Sequence, residues 1–95
     1  MTTELQDRFA AACAQLPLVA ILRGLTPAEA APIGRVLYDA GFRLIEVPLN
    51  SPDPLASIAT LRRELPGEAL VGAGTVLSVQ AVAEVQTAGG ELIVM

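Results

Sequence analysis

Three polar segments in this sequence follow apolar runs and hold the side chains best suited to chemistry. They are Arg23-Gly24, the stretch that carries Glu46 and ends at Asn50, and Gly72-Ala73-Gly74-Thr75. In parallel α/β folds functional groups lie at the carboxyl ends of strands, so the sequence predicts that these segments meet. A carboxylate, a guanidinium and a hydroxyl gathered at one edge would suit proton transfer and the binding of an anion.

Glu46 is the most informative of these residues because it lies inside an apolar run, between Ile45 and Val47. Strand alternation places its side chain on the same side as Leu44 and Pro48. Carboxylates are rarely buried without a partner or a function. One interpretation is a structural carboxylate paired with an arginine. The other is general acid/base catalysis by a group whose pKa is raised by desolvation.

The other polar residues also have two interpretations each. Arg23 suits bidentate binding of a carboxylate or phosphate, or it forms an ion pair with Glu46 or is a solvated loop residue. Gly72-x-Gly74-Thr75 would let backbone and hydroxyl groups approach an anion closely, or it is a plain tight turn. Asn50-Ser51-Pro52 is first a turn and helix cap, with any contact to a substrate secondary.

Composition excludes several classes of function. The chain has ten acidic and six basic residues, a net charge of −4 and no histidine, which argues against a nucleic-acid partner. All six basic residues are arginines, so the sequence contains no lysine. It offers no serine–histidine triad, no metal-spaced cysteine or histidine cluster, no Walker A loop and no complete dinucleotide fingerprint. The lone Cys13 and the acidic start indicate a cytoplasmic protein, and no apolar run approaches the ~18 residues of a membrane span.

Hydrophobic periodicity predicts the elements that must position the polar segments. An amphipathic helix ends before Pro17, and the continuous apolar run 18–22 predicts a strand buried on both faces. Thr26, Pro27 and Glu29 predict the start of the next helix, which Gly41 ends. A strand at 43–49, a helix beginning at Ser51-Pro52-Asp53, a strand at 69–73, a helix capped by Ser78 and a strand at 91–95 complete the pattern.

These elements predict a parallel α/β fold, because strands recur with a period of about 22 to 26 residues. Open sheets and closed barrels share this repeat unit. The sequence stops inside an apolar strand whose edge would be unpaired, so we expect a truncated chain. Four units are half of a (β/α)₈ barrel of about 200 residues. The prediction is therefore the N-terminal half of such a barrel, preceded by an N-terminal helix.

Three segments of the chain strongly resemble the aldolase family that cleaves 2-keto-3-deoxy-6-phosphogluconate and its galactonate epimer. They are Ala20-Ile21-Leu22-Arg23-Gly24, Ile45-Glu46-Val47-Pro48-Leu49-Asn50-Ser51-Pro52 and Val71-Gly72-Ala73-Gly74-Thr75-Val76-Leu77. The Leu22-Arg23-Gly24 pattern and an asparagine at position 50 are similar to the galactonate branch of this family. The resemblance covers nearly the whole chain, so residues 1–95 are expected to be the N-terminal part of a single barrel domain, about four βα units ending in strand four.

The resemblance implies a Schiff-base reaction in which a keto acid phosphate is cleaved to pyruvate and glyceraldehyde 3-phosphate, without a metal or other cofactor. It implies that Glu46 donates and accepts protons, that Arg23 binds the pyruvate carboxylate, and that Thr75, Asn50 and Gly74 bind substrate. The Schiff-base lysine is expected beyond Met95. The resemblance also implies a homotrimer with neither a nucleic-acid nor a membrane partner.

A rival hypothesis is a non-catalytic module that binds small anions on an open α/β sheet. Arg23 and the Gly74-Thr75 segment would then form a ligand site without covalent chemistry. A lysine supplied from outside these residues decides between the two hypotheses, since imine formation requires its amine.

Overall fold

The computed structural model describes residues 3–95, and it contains all eight predicted elements in the predicted order. The helices and strands are α1 (Thr3–Gln15), β1 (Val19–Ile21), α2 (Pro27–Asp39), β2 (Leu44–Pro48), α3 (Pro54–Glu64), β3 (Leu70–Gly74), α4 (Val79–Thr87) and β4 (Leu92–Ile93). None of these helices is long and apolar enough to cross a membrane.

The four strands form one parallel sheet in the order β1-β2-β3-β4, which confirms the predicted parallel α/β repeat. Each strand pairs with the next one along the chain, and a helix connects each pair. The register aligns Ile21 with Glu46 and Glu46 with Gly72, and it aligns Pro48 with Gly74. Because aligned residues of parallel strands point to the same face, Glu46 lies on one face with Ile21 and Gly72.

The opposite face of the sheet packs on the helices and carries the core. Ile45, Val47 and Val71 belong to one buried cluster with Ile58 and Leu61 of α3. The two faces of β2 therefore differ as alternation predicts, since Ile45 and Val47 point to the helices and Glu46 points away from them. We call the side that carries Glu46 the open face.

Helix α1 covers the open face at the amino-terminal ends of the strands. There, Leu44 and Leu70 form a small cluster with Ala12 of α1. The prediction that the first strand is buried on both faces is wrong for the described residues, because Val19 and Ile21 are 42% and 59% exposed. They lie on an edge strand that α1 does not cover.

Local sequence signals explain where the helices begin and end. The Glu29 carboxylate accepts a hydrogen bond from the backbone N–H of Thr26 (3.0 Å), and this bond lowers the pKa of Glu29. Gly41 follows α2 with a φ of 110°, a left-handed conformation that glycine adopts without strain. The Ser78 hydroxyl accepts the backbone N–H of Ala81 (3.1 Å) and caps α4, as predicted.

Candidate functional site

The carboxyl ends of the first three strands bring the predicted polar segments together. The Leu22 N–H donates to the Glu46 carbonyl (2.9 Å), and the Leu49 N–H donates to the Gly74 carbonyl (2.9 Å). These two bonds continue the sheet beyond the strand ends and hold neighbouring segments side by side. The sequence-based expectation that the three segments meet is therefore confirmed.

Glu46 is the only charged side chain that is buried among residues 3–95, with 4% of its surface exposed. Burial raises the pKa of Glu46 above its ordinary value of 4.5, and the positive charge of Arg23 offsets part of that rise. The ion pairs among residues 3–95 are Arg8–Glu91, Arg62–Glu91 and Arg63–Glu64, so Glu46 forms none with Arg23. A buried carboxylate without an ion pair holds a proton more tightly than a solvated one, which suits a role as a proton donor.

Gly74 provides the space that the Glu46 carboxyl group occupies. A Cβ atom at position 74 would overlap that group and would lie only 2.7 Å from Oε1. The carboxylate of Glu46 thus extends over β3 toward the carboxyl end of the sheet. Gly74 contributes by lacking a side chain, a role that the predicted contact with an anion did not include.

Gly72 has a different role from Gly74, although both lie within β3. A Cβ atom at Gly72 would overlap the backbone carbonyl of Leu92, so this glycine permits the close approach of β4. The interpretation of the glycines as a tight turn is wrong, because both belong to the paired strand. Only Thr75 departs from extended geometry, with a φ of 57°.

Thr75 directly follows β3 and lies in the left-handed region, where residues other than glycine are uncommon. Such a conformation costs of order 1–3 kcal/mol and persists only where the surroundings enforce it. The chain changes direction here, directly after the glycine that accommodates the Glu46 carboxyl group. Thr75 is half-buried at the same edge of the sheet as the predicted site residues.

Arg23 contacts the turn that follows β2 instead of pairing with Glu46. Its Nη1 donates a hydrogen bond of 2.7 Å to Oδ1 of Asn50, and both side chains are exposed. The interpretation of Arg23 as the ion-pair partner of Glu46 is therefore wrong. Its guanidinium has five donors, and Asn50 receives one of them, so other donors stay available for an anion.

Ser51 was expected to cap the next helix, but the structure gives its hydroxyl a different partner. Asp53 precedes α3, and Oγ of Ser51 accepts the backbone N–H of Gly24 (3.0 Å). Ser51 is 6% exposed, and this bond lies partly buried between the turns after β1 and β2. The contact joins residues 27 positions apart, and no local pattern in the sequence indicates it.

A cleft of about 840 Å³ lies beside α1 at the amino-terminal side of the sheet, away from the candidate site. Three of its charged side chains are paired with one another: Arg8 and Arg62 both bind the Glu91 carboxylate, and Arg62 also donates to the Ala69 carbonyl (2.7 Å). These contacts fasten α1 and α3 to the residues that directly precede β3 and β4. Among the described residues, no group of three or more His, Cys, Asp or Glu side chains is placed to hold a metal ion.

The chain is similar to known proteins of one aldolase family. A family model described as "KDPG and KHG aldolase" matches residues 9–95. The chain is 47% identical over 88 residues to a probable 2-dehydro-3-deoxy-6-phosphogalactonate aldolase of Rhizobium meliloti, covering 93% of this chain and 42% of the relative. It is 49% identical over 81 residues to the 2-dehydro-3-deoxy-6-phosphogalactonate aldolase of Escherichia coli, covering 84% and 39%.

A solved structure described as native KDPGal superimposes with a TM-score of 0.75 at 46% identity, covering 83% of this chain and 38% of the other. The fold is therefore a parallel α/β arrangement that matches part of the barrel of these aldolases. The chain spans about two fifths of the length of the relatives it matches.

Proposed function

The chain belongs to the KDPG and KHG aldolase family, and from this premise we propose that it supplies the proton-transfer and carboxylate-binding part of a Schiff-base aldolase. The proposed reaction is cleavage of 2-keto-3-deoxy-6-phosphogalactonate to pyruvate and glyceraldehyde 3-phosphate. The observation that carries the proposal is the buried Glu46 carboxyl group, which forms no ion pair within residues 3–95 and projects over Gly74 beside Arg23. A homotrimer is part of the proposal, on family resemblance alone.

Glu46 is proposed to move protons in the covalent steps. When an amine attacks the C2 carbonyl of the keto acid, the carbinolamine oxygen needs a proton in order to leave as water. The C3–C4 bond then breaks as the C4 hydroxyl gives up its proton and becomes the aldehyde. The bonding electrons form an enamine, and C3 of the enamine needs a proton to give the pyruvate imine. A single carboxyl group of raised pKa can supply and recover these protons in turn.

Arg23 is proposed to bind the carboxylate of the keto acid. Its exposed guanidinium lies close enough to Glu46 for its charge to oppose the rise in the pKa of that residue. A substrate carboxylate bound by Arg23 would leave its neighbouring C2 carbonyl near the Glu46 carboxyl group. Thr75, Asn50 and Gly74 are proposed to line the same end of the substrate site.

The preference for the galactonate epimer rests on two supports. The relatives at 47% and 49% identity carry that substrate in their names. The chain also has Asn50 after β2, together with the Leu22-Arg23-Gly24 pattern of the galactonate branch. Neither support involves the phosphate of the substrate, so the proposal assigns no phosphate ligand to these residues.

A hybrid enzyme tests the proposal, because residues 1–95 contain no lysine. This chain would replace the matching segment of the Escherichia coli relative, which supplies the remaining part. We expect the hybrid to cleave the galactonate substrate faster than its gluconate epimer, measured by coupling pyruvate release to NADH oxidation. A hybrid that shows a cooperative thermal transition but no cleavage of either epimer would contradict the proposal.

Because these residues contain no lysine, the experiment must also test the second hypothesis, a non-catalytic anion-binding module. That hypothesis predicts binding of small carboxylates without turnover. Calorimetric titration of the folded hybrid with pyruvate would show it as binding that does not depend on Glu46. Turnover that falls when Glu46 is replaced by glutamine would reject the second hypothesis.

A further inference from the structure

We propose that Asn50 and Ser51 are positioning residues, which together hold the Arg23-Gly24 turn so that the guanidinium is presented beside the Glu46 carboxyl group. The identity of the ligand that Arg23 binds rests on the proposed function. The contacts that hold the Arg23 side chain are independent of that function. The proposal gives Asn50 and Ser51 one joint role, which for Asn50 is added to its proposed place in the substrate site and for Ser51 replaces the expected role as a helix cap.

Two hydrogen bonds join the turn after β1 to the turn after β2. The buried hydroxyl of Ser51 accepts the backbone N–H of Gly24 and fixes the backbone (3.0 Å), while Oδ1 of Asn50 accepts from Nη1 of Arg23 and fixes the side chain (2.7 Å). Gly24 has a φ of 87°, so the backbone reverses directly after Arg23. Consecutive residues on one turn thus hold consecutive residues on the other.

The backbone of Ser51 is itself held in place by a hydrogen bond within its own turn. The backbone N–H of Ser51 donates to the carbonyl of Pro48, the last residue of β2 (3.0 Å). Glu46 lies two residues earlier in the same strand. The strand that carries the carboxylate therefore leads directly into the turn whose residues place the guanidinium, which links the positions of the two charged groups.

The neutral amide of Asn50 suits this role better than a carboxylate would. An exposed arginine loses rotamer freedom when it binds a ligand, and a guanidinium that a neighbour already holds loses less of it. Asn50 accepts one donor without neutralising the charge, so Arg23 keeps its attraction for an anion. An aspartate in the same place would pair with Arg23 and compete with an anionic ligand.

Nuclear magnetic resonance of the 95-residue chain tests the contacts directly. We expect Ser51→Ala to accelerate solvent exchange of the Gly24 amide at least tenfold and to move the Arg23 Nε–H signal toward that of free arginine. Asn50→Ala should move the Arg23 signal in the same way. The matched control is Ser78→Ala, which also removes a hydroxyl that accepts a backbone N–H and should leave both signals unchanged.

Unchanged Gly24 and Arg23 signals in a folded Ser51→Ala variant would overturn the proposal. If Ser51→Ala does not fold, Asn50→Ala decides, because Asn50 is exposed and its truncation leaves no cavity. An Arg23 signal that stays the same in folded Asn50→Ala would then overturn the proposal.

The hybrid enzyme adds a kinetic measurement that general destabilisation would not reproduce. We expect Asn50→Ala and Ser51→Ala to raise KM for pyruvate in the condensation direction about fivefold, the equivalent of about 1 kcal/mol, with kcat within twofold. Ser51→Thr, which keeps the hydroxyl, should recover the KM, and Asn50→Asp should raise it further. An unchanged KM in an active hybrid would overturn the positioning role, whereas an inactive parent hybrid would refute the proposed function and leave the NMR result to decide.

Discussion

Replacing Glu46 by glutamine tests the catalytic role most sharply, because the structure predicts opposite effects on activity and on stability. Glutamine keeps the size of the side chain, so it still fits over Gly74. It cannot exchange a proton at neutral pH, and a general acid/base group typically contributes about 10² to 10⁴ in rate. We expect exchange of the pyruvate methyl protons with solvent, which reports enamine formation in the hybrid, to fall by a factor in that range.

The same substitution should not lower the melting temperature at neutral pH. Glu46 is buried and forms no ion pair among the described residues, so glutamine breaks no salt bridge. Folding raises the pKa of Glu46, so ionisation of this group costs stability above its ordinary pKa of 4.5. This cost is complete only above the folded pKa, and glutamine removes it.

The stability of Glu46→Gln relative to the parent protein should therefore rise with pH and reach its maximum above the folded pKa. Thermal melts from pH 4 to pH 8 measure this difference, and methyl-proton exchange on the same preparation measures catalysis. The pH profile of exchange should show an inflection above pH 4.5 in the parent hybrid that the variant lacks. Near-normal exchange in a variant that melts at a lower temperature would refute the reasoning and make Glu46 structural.

Three further predictions concern two residues near Glu46 and the absence of a lysine amine from residues 1–95. Arg23→Ala should raise KM for pyruvate in the hybrid by roughly tenfold to a hundredfold, since losing a charge-assisted bidentate contact costs about 1.5 to 3 kcal/mol. Gly74→Ala should displace the Glu46 carboxyl group, because the new Cβ overlaps it. Exchange of the methyl protons should then fall at least tenfold, at an overpacking cost of about 1 to 3 kcal/mol in thermal stability. The 95-residue chain, its N-terminal amine blocked, should gain no mass on treatment with pyruvate and borohydride, since it has no lysine.

Each of these predictions has a clear contrary result. A KM that does not change in Arg23→Ala would return Arg23 to a structural role. Normal exchange in Gly74→Ala would show that the carboxyl group acts from another position. A stable side-chain adduct on the blocked chain would show an amine-independent covalent reaction.

The sequence alone determined the order and type of the elements, because their signals are local. Thr26, Glu29 and Gly41 mark the ends of α2 through contacts within a few residues of the chain. The alternation of Ile45, Glu46 and Val47 was enough to place the carboxylate on the opposite face from the core. Parallel pairing then brought the strand ends to one edge. The sequence could therefore predict which segments lie together at the candidate site.

Only the tertiary structure decided how the site residues contact one another, because those contacts join segments distant in sequence. Gly74 accommodates the carboxyl group of Glu46, a residue 28 positions earlier on the neighbouring strand. Arg23 turned out to bind Asn50 instead of Glu46, and Ser51 to bind Gly24 instead of capping α3. Local pattern fixes which face a side chain points to, but the register of neighbouring strands and the paths of their turns determine which atom it meets.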